Sequence, residues 1–203
     1  MNKVLLEYVN KNKKIFIKLL LFILIGIVIG VIYFNLSLSK LEKDEINIFI
    51  NNTHGILKQN ENIDFLRLLK LSIKKNICLI LAIGICGLCI FGNVLNLIIL
   101  VIIGFTLGFT IASSFSAFGL NLNFFIMMIS LIIQNLIFIP SILLLSEKSN
   151  KLYKNIITKM VTMKEELCKH IIIMLIIIVF GIIASLIEIY ISMNFLIVFW
   201  KNI

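Results

Sequence analysis

Charge is scarcest where the sequence is most continuous. Residues 76–146, an interval of 71 positions, contain no Asp, Glu, Lys or Arg. That is room for three spans of about 20 residues each. Hydrophobic residues make up 61% of the 203-residue chain, against roughly 45–50% in soluble domains. A soluble protein with an oversized core is thereby excluded, and the class left is a multi-pass membrane protein.

Catalytic signatures are also missing. The sequence has no HExxH for metal hydrolysis, no GxSxG elbow and no glycine loop for phosphate. Its two histidines, His54 and His170, have no ligand or nucleophile at useful spacing. No catalytic, cofactor-binding or metal-ligating residue is therefore assigned, and the chain reads as a non-enzyme. The cysteines are Cys78, Cys86, Cys89 and Cys168. "CGLC" at 86–89 has redox spacing but lies in an apolar run without a βαβ context, so it reads as small packing residues. No disulfide framework follows.

The formal net charge is +9. The basic residues cluster at the ends of apolar runs, where they set orientation and touch anionic lipid head groups. Nucleic acid is not the expected partner. The lysines before the first run resemble a signal-peptide n-region, but no small-residue cleavage site follows, so that run is read as retained.

Hydropathy predicts an all-α bundle of five transmembrane helices in one membrane domain, residues 1–203. The spans fall near 15–36, 77–95, 97–115, 124–145 and 170–190. The breaks are taken from "GNVLN" at 92–96 and "SSFSAFGLNLN" at 113–123. Residues 37–76 form a short helical external segment, and 147–169 a charged cytoplasmic loop. The tail 191–203 lies along the surface or extends the fifth helix. Lysines 3, 11, 13, 14 and 18 precede or open the first span, and Lys148, Lys151, Lys154, Lys159, Lys164 and Lys169 follow the fourth. Both groups belong on one side, which the positive-inside rule makes cytoplasmic, giving N-in and C-out.

In the external segment "SKLE" at 39–42 fits a capping box. "IDFLRLLKLSIKK" places Ile63, Leu66, Leu69 and Ile73 on one helical face. That helix either lies at the head-group boundary or docks a partner, and it feeds directly into span two.

Inside the uncharged interval, "MISLIIQNLIFIPSILLLS" at 128–146 holds two amides and the only proline, Pro140. Pro140 removes the donor for the Leu136 carbonyl and bends the helix. Ser130, Gln134 and Ser141 project from one side. An unpaired amide in hydrocarbon costs several kcal/mol, so Gln134 and Asn135 are expected to face neighbouring helices. Small residues recur at Gly26 and Gly30, at Gly181 and Ser185, and as a four-residue repeat at Gly104, Gly108, Ala112 and Ser116. Such stripes let backbones approach, within the chain or against a partner. Glu188 is the only acid in the apolar C-terminal run. If span five starts at His170, Glu188 sits near the outer boundary, with Gln134 roughly 12 Å deeper, so the two are not expected to meet.

Five stretches together resemble the stage II sporulation protein M family. They are "LSLSKLEKDE" at 36–45, "FLRLLKLSIKKNICLILAIG" at 65–84, "GFTLGF" at 104–109, "IIQNLIFIPSILL" at 132–144 and "SLIEIYIS" at 185–192. The chain departs from the family pattern at Ile133, where a proline often stands, and at Ile103, where a lysine often stands. The resemblance implies a membrane scaffold at the sporulation septum that positions peptidoglycan hydrolases during forespore engulfment. The implied partners are the membrane-anchored stage II sporulation proteins D and P. Membrane lipid and a second copy of the chain are the other partners such faces admit. The alternative from the residues is a transporter or permease component with a polar path through spans four and five.

Overall fold

The computed structural model describes residues 12–58, 65–89, 91–158 and 163–201. The expectations placed on Lys3, Lys11, Ile63 and Lys159 lie outside those residues, as does the side chain of His54. Among the described residues there are six helices and no strand. They are α1 (Lys13–Ile32, continued by a π turn over Tyr33–Ser37), α2 (Lys40–Lys58), α3 (Phe65–Cys86), α4 (Gly92–Phe118), α5 (Leu122–Thr158) and α6 (Met163–Lys201). Long apolar runs become helices because in lipid only an intra-segment ladder satisfies every backbone donor and acceptor.

Four stretches are long and apolar enough to cross a membrane: Lys13–Ser37, Gly92–Phe118, Met127–Asn155 and Lys164–Tyr190. Five spans were expected, and the second of them, α3, is not among the four. The first half of α3 carries Arg67, Lys70, Lys74 and Lys75, with Asn76 at its centre. Its apolar half, residues 77–86, covers about 15 Å, half of a 30 Å hydrocarbon layer.

Boundaries move in the same region. The expected break at 92–96 is the first turn of α4, whose predecessor α3 already ends at Cys86. The amide of Gly92 donates to the Cys89 carbonyl at 2.9 Å. A Cβ at Gly92 would lie 1.6 Å from the Cys86 carbonyl oxygen, so the tightness of this turn requires glycine. The second break needs only residues 119–121, led by Gly119 at φ 61°. Residues 147–169, expected as a loop, are helical through Thr158 and again from Met163. The tail extends the last helix to Lys201.

The closest helix pair is α1 with α4. A Cβ on Gly26 would lie 2.2 Å from the Val101 carbonyl oxygen, and one on Gly30 2.3 Å from that of Phe105. In the reverse direction, Cβ atoms on Gly104 and Gly108 would lie 2.1 Å from the carbonyl oxygens of Ile23 and Ile27. The two glycine stripes thus face each other, backbone on backbone. Rings close one end of this contact, with Tyr33 against Phe105 and Phe34 against Phe109, each pair at 5.5 Å. Ser116, the last member of the α4 stripe, accepts a hydrogen bond from Asn47 of α2 at 3.1 Å.

The capping box is formed at the start of α2. Ser39 donates through its amide and its hydroxyl to Glu42 Oε2, each at 2.8 Å. Those two bonds hold the Glu42 carboxyl below its ordinary range. A lowered folded value means the cap contributes above the normal carboxylate range and is lost as pH falls through that lowered value. We expect the Ser39 amide to lose hydrogen-exchange protection on acidification below about pH 4, and to lose it at every pH in Glu42→Ala. An amide insensitive to pH would show that the cap contributes nothing.

Candidate functional site

Two polar layers interrupt the apolar interior, one toward each end of the bundle. The first involves α3, α4, α5 and α6. Asn76 is fully buried, and its Nδ2 donates to Ser185 Oγ at 2.8 Å and to the Gly181 carbonyl at 3.5 Å. One turn earlier, the Ser72 hydroxyl donates to Glu188 Oε2. Ser72 and Asn76 lie four apart on α3, so they meet the Gly181–Ser185–Glu188 side of α6 in register. The Ser72 hydroxyl and the Asn76 amide hydrogens thus find partners across a helix contact.

Beside this clamp lies a cavity of about 190 Å³. Its polar lining is Lys75, Asn76, Thr106, Thr110, Gln134, Asn135 and Glu188. Gln134 and Glu188 therefore line one cavity, against the expectation that depth would keep them apart. The reason is the length of α6. It ends at Lys201 and not near residue 190, so Glu188 lies about 20 Å from that end, and Gln134 about 18 Å from the start of α5.

Gln134 is 8% exposed and has no hydrogen-bond partner among the described residues. Asn135, expected to bridge helices, instead donates to the Leu131 carbonyl of its own helix at 2.7 Å. Ser141 likewise bonds back to Ile137, at 2.8 Å, one position beyond the carbonyl that Pro140 deprives of a donor. Pro140 itself lies on an exposed side of α5, which stays helical through it. Ser130 is half-buried near the start of the same helix, and Ala112 is buried in α4.

Sequence reasoning missed the second layer. Glu147, read as the first residue of a loop, is fully buried in α5 and pairs with Lys151 Nζ at 2.5 Å. Lys151 also donates to Asn12 Oδ1 at 3.2 Å, which ties α5 to the start of α1. Asn96 is fully buried and donates to the Ser146 carbonyl at 3.0 Å and to Asn150 Oδ1 at 2.8 Å. Ser149 donates to the Ile83 carbonyl at 2.8 Å, and His170 Nε2 lies 3.0 Å from the Gly84 carbonyl. The available signal was spacing: Ser146, Glu147, Ser149 and Asn150 continue the helical register of the apolar run before them. Ile83, Leu100, Ile142 and Leu145, all fully buried, separate this layer from the cavity.

The arrangement defines an all-helical, multi-pass membrane protein with a tightly joined helix pair and a polar cavity nearer one end. Residues 19–193 match the family described as Stage II sporulation protein M, and the chain belongs to it. It is accordingly a sporulation-related membrane protein. No curated relative and no solved structure matches it.

Proposed function

We propose that this chain is a non-enzymatic scaffold of the cell membrane at the sporulation septum. It recruits and positions membrane-anchored peptidoglycan hydrolases, the stage II sporulation proteins D and P, for septal wall remodelling and engulfment. The observation that carries the reading is the family match over residues 19–193. The glycine contact between α1 and α4 supports it, since a rigid bundle is what an anchor requires. So does α2, capped at Ser39 and bonded to α4, with Leu41 and Phe49 more than 70% exposed on it. With the N-terminus cytoplasmic, α2 faces the wall that the hydrolases act on.

The test is deletion of the gene with both hydrolases fluorescently tagged. Their abundance should stay normal while their septal localisation is lost. Retained localisation, or hydrolases that vanish altogether, would count against recruitment. A second reading, a transporter component, is favoured by the polar cavity among α3, α4, α5 and α6. The four fully buried aliphatics below the cavity weigh against a continuous path.

A further inference from the structure

The chemistry left over in the cavity is biased. Asn76 has spent its amide hydrogens on Ser185 and Gly181, and its Oδ1 is buried without a partner among the described residues. Thr106 and Thr110 donate their hydroxyl hydrogens to the carbonyls of Ile103 and Thr106, each at 2.8 Å, which leaves both oxygens as acceptors. Asn135 has given one amide hydrogen to Leu131 and retains its carbonyl oxygen. Glu188 brings a carboxyl group, one oxygen of which already accepts from Ser72. Gln134 adds a side chain that is more than nine-tenths buried and without a hydrogen-bond partner among the described residues. One carboxyl group and up to five neutral oxygens thus line one small cavity, against donors left only on Gln134, Asn135 and the rim residue Lys75.

A guest for such a place must bring positive charge or donors. Hard cations take oxygen ligands, and a single carboxylate balances one positive charge. No group of three His, Cys, Asp or Glu residues occurs among the described residues, so the donor set suits neither a transition metal nor a strongly bound divalent ion. We propose that this cavity binds a monovalent metal cation, held by Glu188 and the neutral oxygens of Asn76, Thr106, Thr110, Gln134 and Asn135. Lys75 lies exposed at the rim on a flexible stem. Its ammonium competes with the cation for the same oxygens. The site is separate from the scaffold role and needs no hydrolase partner.

The test uses the purified full-length protein in mild detergent. Thermal unfolding is followed as sodium chloride replaces choline chloride at constant ionic strength. Sodium should raise the midpoint saturably, as a ligand of the native state does. Glu188→Gln and Gln134→Leu should each weaken half-saturation at least tenfold, and Lys75→Ala should tighten it. Potassium producing a similar saturable rise supports the same site with weak size selection. Sodium-23 line broadening, lost in Thr110→Val, provides a second readout should the Glu188 or Gln134 variant fail to fold. Equal midpoints in sodium and choline, or full sodium sensitivity in Glu188→Gln, would overturn the proposal. A response to methylammonium but to neither metal ion would overturn it in favour of a primary amine guest.

Discussion

Gly108→Ala should destabilise the bundle by about 2 kcal/mol or more, whereas Gly181→Ala should be near neutral or stabilising. The two substitutions add the same methyl group to a helix interior. Intrinsic propensity alone favours alanine over glycine by about 1 kcal/mol. At Gly108 the new Cβ would meet the Ile27 carbonyl oxygen at 2.1 Å, and the Ile27 C and Cα atoms at 2.8 and 2.9 Å. Backbone cannot rotate away, so α1 and α4 would have to separate along their length and lose dispersion contacts. At Gly181 the nearest atom is the Ile80 Cδ1 at 2.6 Å, the end of a flexible side chain that can turn aside. Thermal or denaturant unfolding of the two purified variants, with size-exclusion profiles, decides the matter. Equal behaviour would show that the α1–α4 approach is looser than described.

Lys151→Met should cost about 2–3 kcal/mol, and Glu147→Gln added to it should recover a large part of that loss. Removing one partner of a buried ion pair is strongly destabilising, typically about 3–5 kcal/mol, because the remaining charge stays in low dielectric. Here Glu147 is fully buried while the Lys151 side chain is 40% exposed, so solvent screening reduces the expected figure. Neutralising Glu147 in the double variant removes the charge that the lysine balanced. A double-mutant cycle in detergent measures the coupling. Additive losses would mean that the pair is incidental to stability.

These two sites differ in how far they can be read without coordinates. Small residues four apart in α1 and α4 announce close helix contacts, since a four-residue repeat lies along one face. They do not announce which helix is approached, because a stripe fits a neighbour, a second copy or a partner equally well. Glu147 misleads for another reason. The first charge after a long uncharged interval looks like an exit from the membrane, and a helix carrying its own lysine one turn later has no need to end there. Gln134 and Glu188 could not be brought together by counting residues, since their relative depth depends on where α6 stops. Asn135 shows a further ambiguity: an amide in lipid can be satisfied by the carbonyl four residues behind it, without any neighbour.

What the amino-acid order settled alone was class and element type. Sustained apolar composition demands lipid, and lipid demands helices, because no water is present to satisfy an open backbone. The capping box at Ser39 and Glu42 was equally local, since both partners lie within one turn. Tertiary structure alone decided the pairing: which glycine stripe meets which, how Ser72 and Asn76 of α3 bond to α6, and which oxygens share a cavity. Those outcomes depend on the relative translation of helices far apart in the chain, and residue spacing within one helix holds no information about that translation.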